Sequence, residues 1–322
     1  MSTSGAAETA ESIIEEVRSA VVADRTVLEE VLAGMLARGH VLLEDVPGTG
    51  KTLTVRSFAT ALGLDFSRIQ FTPDLMPSDI TGSYVFEEDT GEFHFTPGPV
   101  FANIVLADEI NRAPPKTQSA LLEAMAEGQV TVDGETHELP DPFMVVATQN
   151  PVEQQGTFEL PEAQRDRFMV KTSLGYPDAA GTQELIDRRA NRDRPDPTVE
   201  QVVDRDVVTQ LQRVPETVAV EDPVREYIGT VCRATRSDSR VDVGVSPRGV
   251  QRLFEASRAR AVLDGRDYVV PDDIQRVARP VLAHRLVVEP EASVQGVSRA
   301  DVIDAVLDDV EVPAMDDSSV EQ

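Results

Sequence analysis

Eight consecutive residues, Asp45-Val46-Pro47-Gly48-Thr49-Gly50-Lys51-Thr52, have the composition of a loop that cradles phosphate. Glycines at 48 and 50 let the backbone approach an anion closely, and the N–H groups at the head of a following helix point at it with the helix dipole behind them. Lys51 would reach the β- and γ-phosphates of a nucleotide, and the Thr52 hydroxyl would ligate Mg²⁺. The usual pattern opens with a glycine; Asp45 stands there instead, while Pro47, Gly48 and Gly50 still supply the tight turn. Taken alone, the run is also compatible with a glycine-rich surface turn before a helix. A second constellation favours the chemical reading. Residues 103–107, Asn-Ile-Val-Leu-Ala, run directly into Asp108-Glu109. An apolar strand ending in two carboxylates delivers them to the C-terminal edge of a sheet, where open α/β folds bind their ligands. There Asp108 would hold Mg²⁺ through water, and Glu109 would polarise the attacking water.

The elements around these runs have the order that such a site needs. Residues 12–37 carry apolar positions at helical spacing, residues 40–44 read as a short buried strand, and residues 51–62 return to helical spacing. Strand, glycine-rich turn and helix are what a phosphate loop requires. Further strands are expected over 68–71, 103–107, 143–148 and 168–172, with a helix over 115–127. Asp89-Thr90-Gly91 and Asp133-Gly134 each separate two short alternating runs, which predicts two β-hairpins. Strands alternating with helices imply a parallel α/β sheet covered on both faces. After Tyr176-Pro177 only helices are readable, over about 178–192, 200–213, 222–236, 247–263 and 271–285, with a short strand pair suggested near 241–245 and 268–270. The expected plan is a mobile tail over 1–11, an α/β nucleotide-binding core over 12–175, a smaller helical lid over 176–310 and an acidic tail over 311–322.

Composition narrows the function. The 322 residues carry a formal net charge of −27, from 57 acidic and 30 basic residues, and only Lys51, Lys116 and Lys171 are lysines. Acidic excess with so few lysines suits a protein that stays hydrated in high salt, where mutual repulsion is screened. The same charge disfavours nucleic acid as a partner, because non-specific affinity for it comes from neutralising phosphates. No stretch approaches the roughly 20 apolar residues of a membrane-spanning helix, and a cytoplasmic protein is expected. The single Cys232 and four scattered histidines suggest no metal cluster. Lys116 and Lys171 are followed by Thr117-Gln118 and Thr172-Ser173, so the Asn-Lys-X-Asp element of guanine selectivity is missing and ATP is the expected nucleotide.

Beyond the phosphate loop and the paired carboxylates, the chain resembles the MoxR family of AAA+ ATPases over about residues 12–290. The resemblance rests on Phe71-Thr72-Pro73-Asp74-Leu75-Met76-Pro77-Ser78-Asp79-Ile80-Thr81-Gly82, on Pro97-Gly98-Pro99-Val100-Phe101, on residues 108–118 from Asp108-Glu109-Ile110-Asn111-Arg112 onward, and on residues 147–168. It implies a P-loop AAA+ core with hairpin inserts, a helical lid, and hydrolysis of ATP with Mg²⁺. It implies further roles for residues already quoted. In Ala147-Thr148-Gln149-Asn150-Pro151 a polar residue orients water or the γ-phosphate; Asn150 is the first choice and Gln149 the second. Arg167, with Arg165 as competitor, matches an arginine finger offered to a neighbouring subunit. Arg248, in Ser246-Pro247-Arg248-Gly249, resembles the lid arginine that reaches the nucleotide. Membership also implies a ring, usually a hexamer, acting on other proteins, often partners with a von Willebrand factor A domain. A chelatase-type motor subunit, or a nucleic-acid motor of the same branch, is the competing reading.

Overall fold

The computed structural model describes residues 1–152, 157–158, 160–191 and 197–314. The core runs α1 (Thr3–Ala20), α2 (Arg25–Leu36), β1 (Val41–Glu44), α3 (Lys51–Ala61), β2 (Phe66–Gln70), α4 (Pro77–Thr81), β3 (Gly82–Glu87), β4 (Glu92–Pro97), β5 (Ile104–Asp108), α5 (Pro115–Glu127), β6 (Gln129–Val132), β7 (Glu135–Glu138), β8 (Met144–Gln149), α6 (Glu162–Arg165) and β9 (Val170–Thr172). Five of the strands form one parallel sheet in the order β2-β5-β8-β1-β9. Its central strands are apolar on both sides because helices cover both faces. Val41, Leu43, Ile104, Leu106, Met144 and Val146 face the layer of α1, α2 and α3, while Leu42, Val105, Ala107, Val145 and Ala147 face the layer of α4 and α5. The alternation is the period of two that a strand imposes on its side chains. The two hairpins, β3–β4 and β6–β7, form separately, as their turn residues predict. Asp133 and Gly134 both adopt positive φ, 50° and 89°, as a two-residue turn of this hand demands.

The helical part follows as α7 (Ala179–Ala190), α8 (Arg205–Leu211), α9 (Asp222–Ser237), β10 (Val241–Val243), α10 (Pro247–Leu263), α11 (Pro271–Leu282), β11 (Val287–Val288), α12 (Pro290–Val294) and α13 (Arg299–Asp309). Helix α10 packs on α1, α2 and α11, so core and lid share one apolar cluster.

Three expectations need correction. Residues 1–11 are not a loose tail: α1 starts at Thr3 behind its Ser2 cap, and Ala6 and Ala10 are buried. Small residues can be packed tightly while giving almost no apolar signal in a sequence window. Val241–Val243 pairs with Val287–Val288 and not with residues 268–270, where Tyr268 bridges Ala219. The lid's helices do not end near residue 285: α13 follows, with Val302, Ile303 and Val306 buried. The acidic tail expected over 311–322 lies, from residue 315 on, outside the described residues.

His40 ties the sheet to α5. Its Nδ1 accepts from the Val145 N–H at 3.0 Å, so Nε2 carries the proton and donates to Met125 O at 3.0 Å. Full burial pushes its pKa from 6.5 down to about 4. The unfolded chain therefore binds this proton first on acidification. The neutral imidazole's contribution is complete above pH 6.5 and is lost as pH falls from there through about 4. The expected loss is on the order of 3 kcal/mol. Denaturant unfolding of wild type and His40→Gln at pH 7 and pH 4.5 checks this: the wild type should lose more stability than the variant over that interval. Equal losses would mean that the imidazole is not the titrating group.

Candidate active site

The phosphate loop joins the C-terminal end of β1 to the first turn of α3. Gly48 and Gly50 both have positive φ, 88° and 91°, a conformation that a β-carbon would strain. Gly50 enters α3 in the left-handed region and no side chain caps the helix, so the N–H groups of its first turn remain for another acceptor. Lys51 Nζ lies across the loop and donates to the carbonyl oxygens of Asp45 and Val46, at 2.9 Å each. Thr52 follows in the same turn. Uncapped N–H groups, two left-handed glycines and one lysine fit the polyphosphate of a nucleotide.

Asp108 and Glu109 arrive beside this loop on β5, as the run of apolar residues predicts. One hydroxyl organises both. Thr148 Oγ1 donates to Asp108 Oδ1 at 2.7 Å and accepts from the Glu109 N–H at 2.8 Å. Asp108 Oδ2 accepts from Arg68 Nε and NH2, at 3.1 and 2.7 Å. Glu109, the residue after the strand, adopts a left-handed conformation, φ 58°. Its Oε2 accepts from Gln70 Nε2 at 3.1 Å and pairs with Arg112 Nε at 3.0 Å. Arg68 also donates to Gln70 Oε1 at 2.6 Å, so the two carboxylates share one network. Arg68, Gln70 and Thr148 were not singled out from the sequence. A faint signal existed: residues 68 and 70 are polar and lie two apart, on one face of a strand next to that of Asp108.

Asp108 and Thr52 offer the carboxylate and hydroxyl oxygens that Mg²⁺ prefers. Magnesium held there would offset charge on the phosphate oxygens. Glu109, held through one oxygen, can accept a hydrogen bond from water with the other. Asn150 stands at the end of β8, where its Oδ1 accepts from the Val152 N–H at 3.1 Å. Gln149 is the last residue of that strand, level with Glu44.

The arginines lie elsewhere. Met169 N–H donates to His40 O, so the start of β9 sits at the His40 end of β1, one strand length from Asp45 and the phosphate loop. Residues 165–167 lead into that end. Arg167 NH1 donates to Leu122 O in α5 at 2.6 Å. Arg248, at the head of α10, has NH1 3.9 Å from Asp166 Oδ2. It stands with residues 165–167 at the far end of the sheet and does not approach its own phosphate loop, contrary to the sequence expectation of a lid arginine reaching down to that nucleotide. The cause is the seat of α10. Ser246 Oγ reaches the Asp166 carboxylate at 3.4 Å, and buried Arg285 donates to Asp166 Oδ1 at 2.9 Å and to Phe168 O at 2.7 Å.

Comparison with known proteins agrees with this geometry. The ATPase family associated with various cellular activities (AAA) matches residues 40–170, and the AAA lid domain matches residues 233–306. The YeaC protein of Bacillus subtilis is 49% identical over 93% of each chain. Chaperone MoxR1 of Mycobacterium tuberculosis is 43% identical over 95% of this chain and 82% of its own. A crystal structure of a Cytophaga hutchinsonii protein superposes with a TM-score of 0.89 at 39% identity, covering 97% of each chain. With the parallel sheet, the phosphate loop, the paired carboxylates and the helical lid on one chain, these likenesses make it a member of the MoxR family of AAA+ ATPases.

Proposed function

We propose that the protein works as a ring, a hexamer, in which ATP held by one subunit is hydrolysed with arginines from the next, and that turnover remodels or matures a protein partner. In this reading residues 45–52 hold the phosphates, with Lys51 on the β- and γ-groups. Thr52 and Asp108 hold Mg²⁺, Glu109 polarises the attacking water and Asn150 orients it. Arg167, or Arg165 beside it, and Arg248 serve a neighbour's nucleotide. The observation that carries the reading is the separation of the two groups. Lys51 and Glu109 lie at the Asp45 end of the sheet, whereas Arg167 and Arg248 lie at the His40 end. A single copy cannot bring them together across its own sheet, and this favours supply of the arginines by a second copy.

A protein client is favoured over nucleic acid by the net charge of −27. The relative named as a chaperone points the same way. No helix among the described residues is long and apolar enough to cross a membrane, and we place the work in the cytoplasm. The test is capture from native extract at high salt with the Glu109→Gln chain as bait. We expect retention, dependent on ATP, of a protein that carries a von Willebrand factor A domain. Retention of DNA that persists in high salt would favour a nucleic-acid motor, and retention of a porphyrin-metallating assembly would favour a chelatase subunit.

The charge also carries an expectation of its own. With 57 acidic residues against 30 basic ones, unscreened repulsion should loosen the fold at low ionic strength. The melting temperature is expected to rise between about 0.05 and about 2 M KCl, as the Debye length falls from above roughly 10 Å to below roughly 3 Å. A flat profile would mean ordinary acidity without adaptation to salt.

A further inference from the structure

Where the usual phosphate loop opens with glycine, this chain carries a carboxylate with three partners. Asp45 is 4% exposed. Its Oδ1 accepts from Ser173 Oγ at 2.7 Å and from the Gly175 N–H at 2.9 Å, and its Oδ2 accepts from the Leu174 N–H at 2.7 Å. These donors are the three residues that follow β9 and begin the connection to the lid. Gly175 has φ 67°, a left-handed turn that sends the chain through Tyr176-Pro177 to Asp178, the cap of α7. The backbone of the same residue faces the catalytic side. Asp45 O accepts from Lys51 Nζ at 2.9 Å, and Asp45 N–H donates to Gln149 O at 3.0 Å, at the end of the strand that leads to Asn150.

One buried residue thus joins Lys51, the end of β8 and the core-to-lid connection. Hydrogen bonds to a charged acceptor are the stronger kind, and three of them on one buried carboxylate make a stiff link. A glycine would form the loop equally well and make none of these bonds. At the start of the connection, Thr172 and Ser173 line a cavity of about 700 Å³ together with the lid residues Arg279, Ala283, Val288 and Val297.

We propose that Asp45 is a positioning residue that couples the phosphate loop to the core-to-lid connection, so that a triphosphate drawing Lys51 off the Asp45 carbonyl alters the hold on residues 173–175. The proposal rests on the reading of residues 45–52 as the phosphate site, and its test separates the two. Hydrogen exchange is followed on the full chain with and without AMP-PNP and magnesium, in wild type, Asp45→Asn and Asp45→Gly. In wild type the analogue should slow exchange over 46–54 and also change it over 173–178. Asp45→Asn keeps the shape but turns one acceptor into a donor facing N–H or O–H donors. Loop protection should survive in it, while the response of 173–178 falls at least about fivefold. Asp45→Gly should behave alike. In both variants kcat should fall more than KM changes, a split that a loss of loop structure alone would not produce.

Unchanged exchange over 46–54 in wild type would refute the phosphate-site reading itself. Loop protection with no response at 173–178 in wild type would overturn the coupling. So would a response of wild-type size in either variant. Where one variant fails to fold, a failure visible as a lost melting transition, the other variant decides, since the amide keeps the side-chain volume and the glycine removes it.

Discussion

Glu109→Gln should bind ATP as wild type does and hydrolyse it at least about a hundredfold more slowly, the scale of a lost general base. The amide has the shape of the carboxylate and can keep a hydrogen bond to Gln70 or Arg112, so the left-handed turn at 109 has no reason to change. What it loses is the basic oxygen that accepts from water. Lys51→Ala is the companion: it removes the one cation of the loop and should abolish binding itself. Nucleotide titration and phosphate release on the two variants separate the roles. Turnover of Glu109→Gln within a few-fold of wild type would remove Glu109 from the water-polarising role. Near wild-type affinity in Lys51→Ala would remove the loop from the phosphate role.

The second large effect concerns the arginines at the far end of the sheet. Arg167→Ala should bind ATP normally and lose about 10³–10⁵ in rate, the scale of an absent arginine finger. Its guanidinium also donates to Leu122 O, so the variant should melt lower as well. Arg165→Ala, in α6, is the necessary comparison. A full loss of rate with unchanged melting in Arg165→Ala, and a near-normal rate in Arg167→Ala, would transfer the role to Arg165. Mixing the inactive Lys51→Ala chain with the arginine variant distinguishes action across an interface from action within a chain. In the proposed ring, mixed assemblies would contain interfaces with an intact loop on one side and an intact arginine on the other, and these should recover part of the activity. Subunit exchange is shown separately, by energy transfer between labelled chains. Exchange without recovery would confine the arginine to a structural role.

Much of this protein was legible because its signals are local. The glycines at 48 and 50, the apolar run into Asp108-Glu109, and the Asp133-Gly134 turn each act through their own backbone or their immediate neighbours. Periodicity likewise marked α3, α5 and α10, because each must bury one face. What escaped depends on residues far apart in the chain. Asp45 reads as a defect in the loop until Ser173, Leu174 and Gly175 are brought to it across 128 to 130 positions. Arg68, Gln70 and Thr148 look like ordinary strand residues until the register of β2, β5 and β8 sets them around the two carboxylates. The pairing of Val241–Val243 with Val287–Val288, and the packing of Ala6 and Ala10, are decided in the same way, by which surfaces meet once the lid folds. Arg248 shows the limit most clearly. The sequence by itself put an arginine at the head of a lid helix, but the seat of that helix on Asp166 and Arg285 decided at which end of the sheet the arginine stands. A motif carries the chemistry of a side chain, and only tertiary packing sets the direction in which that chemistry is delivered.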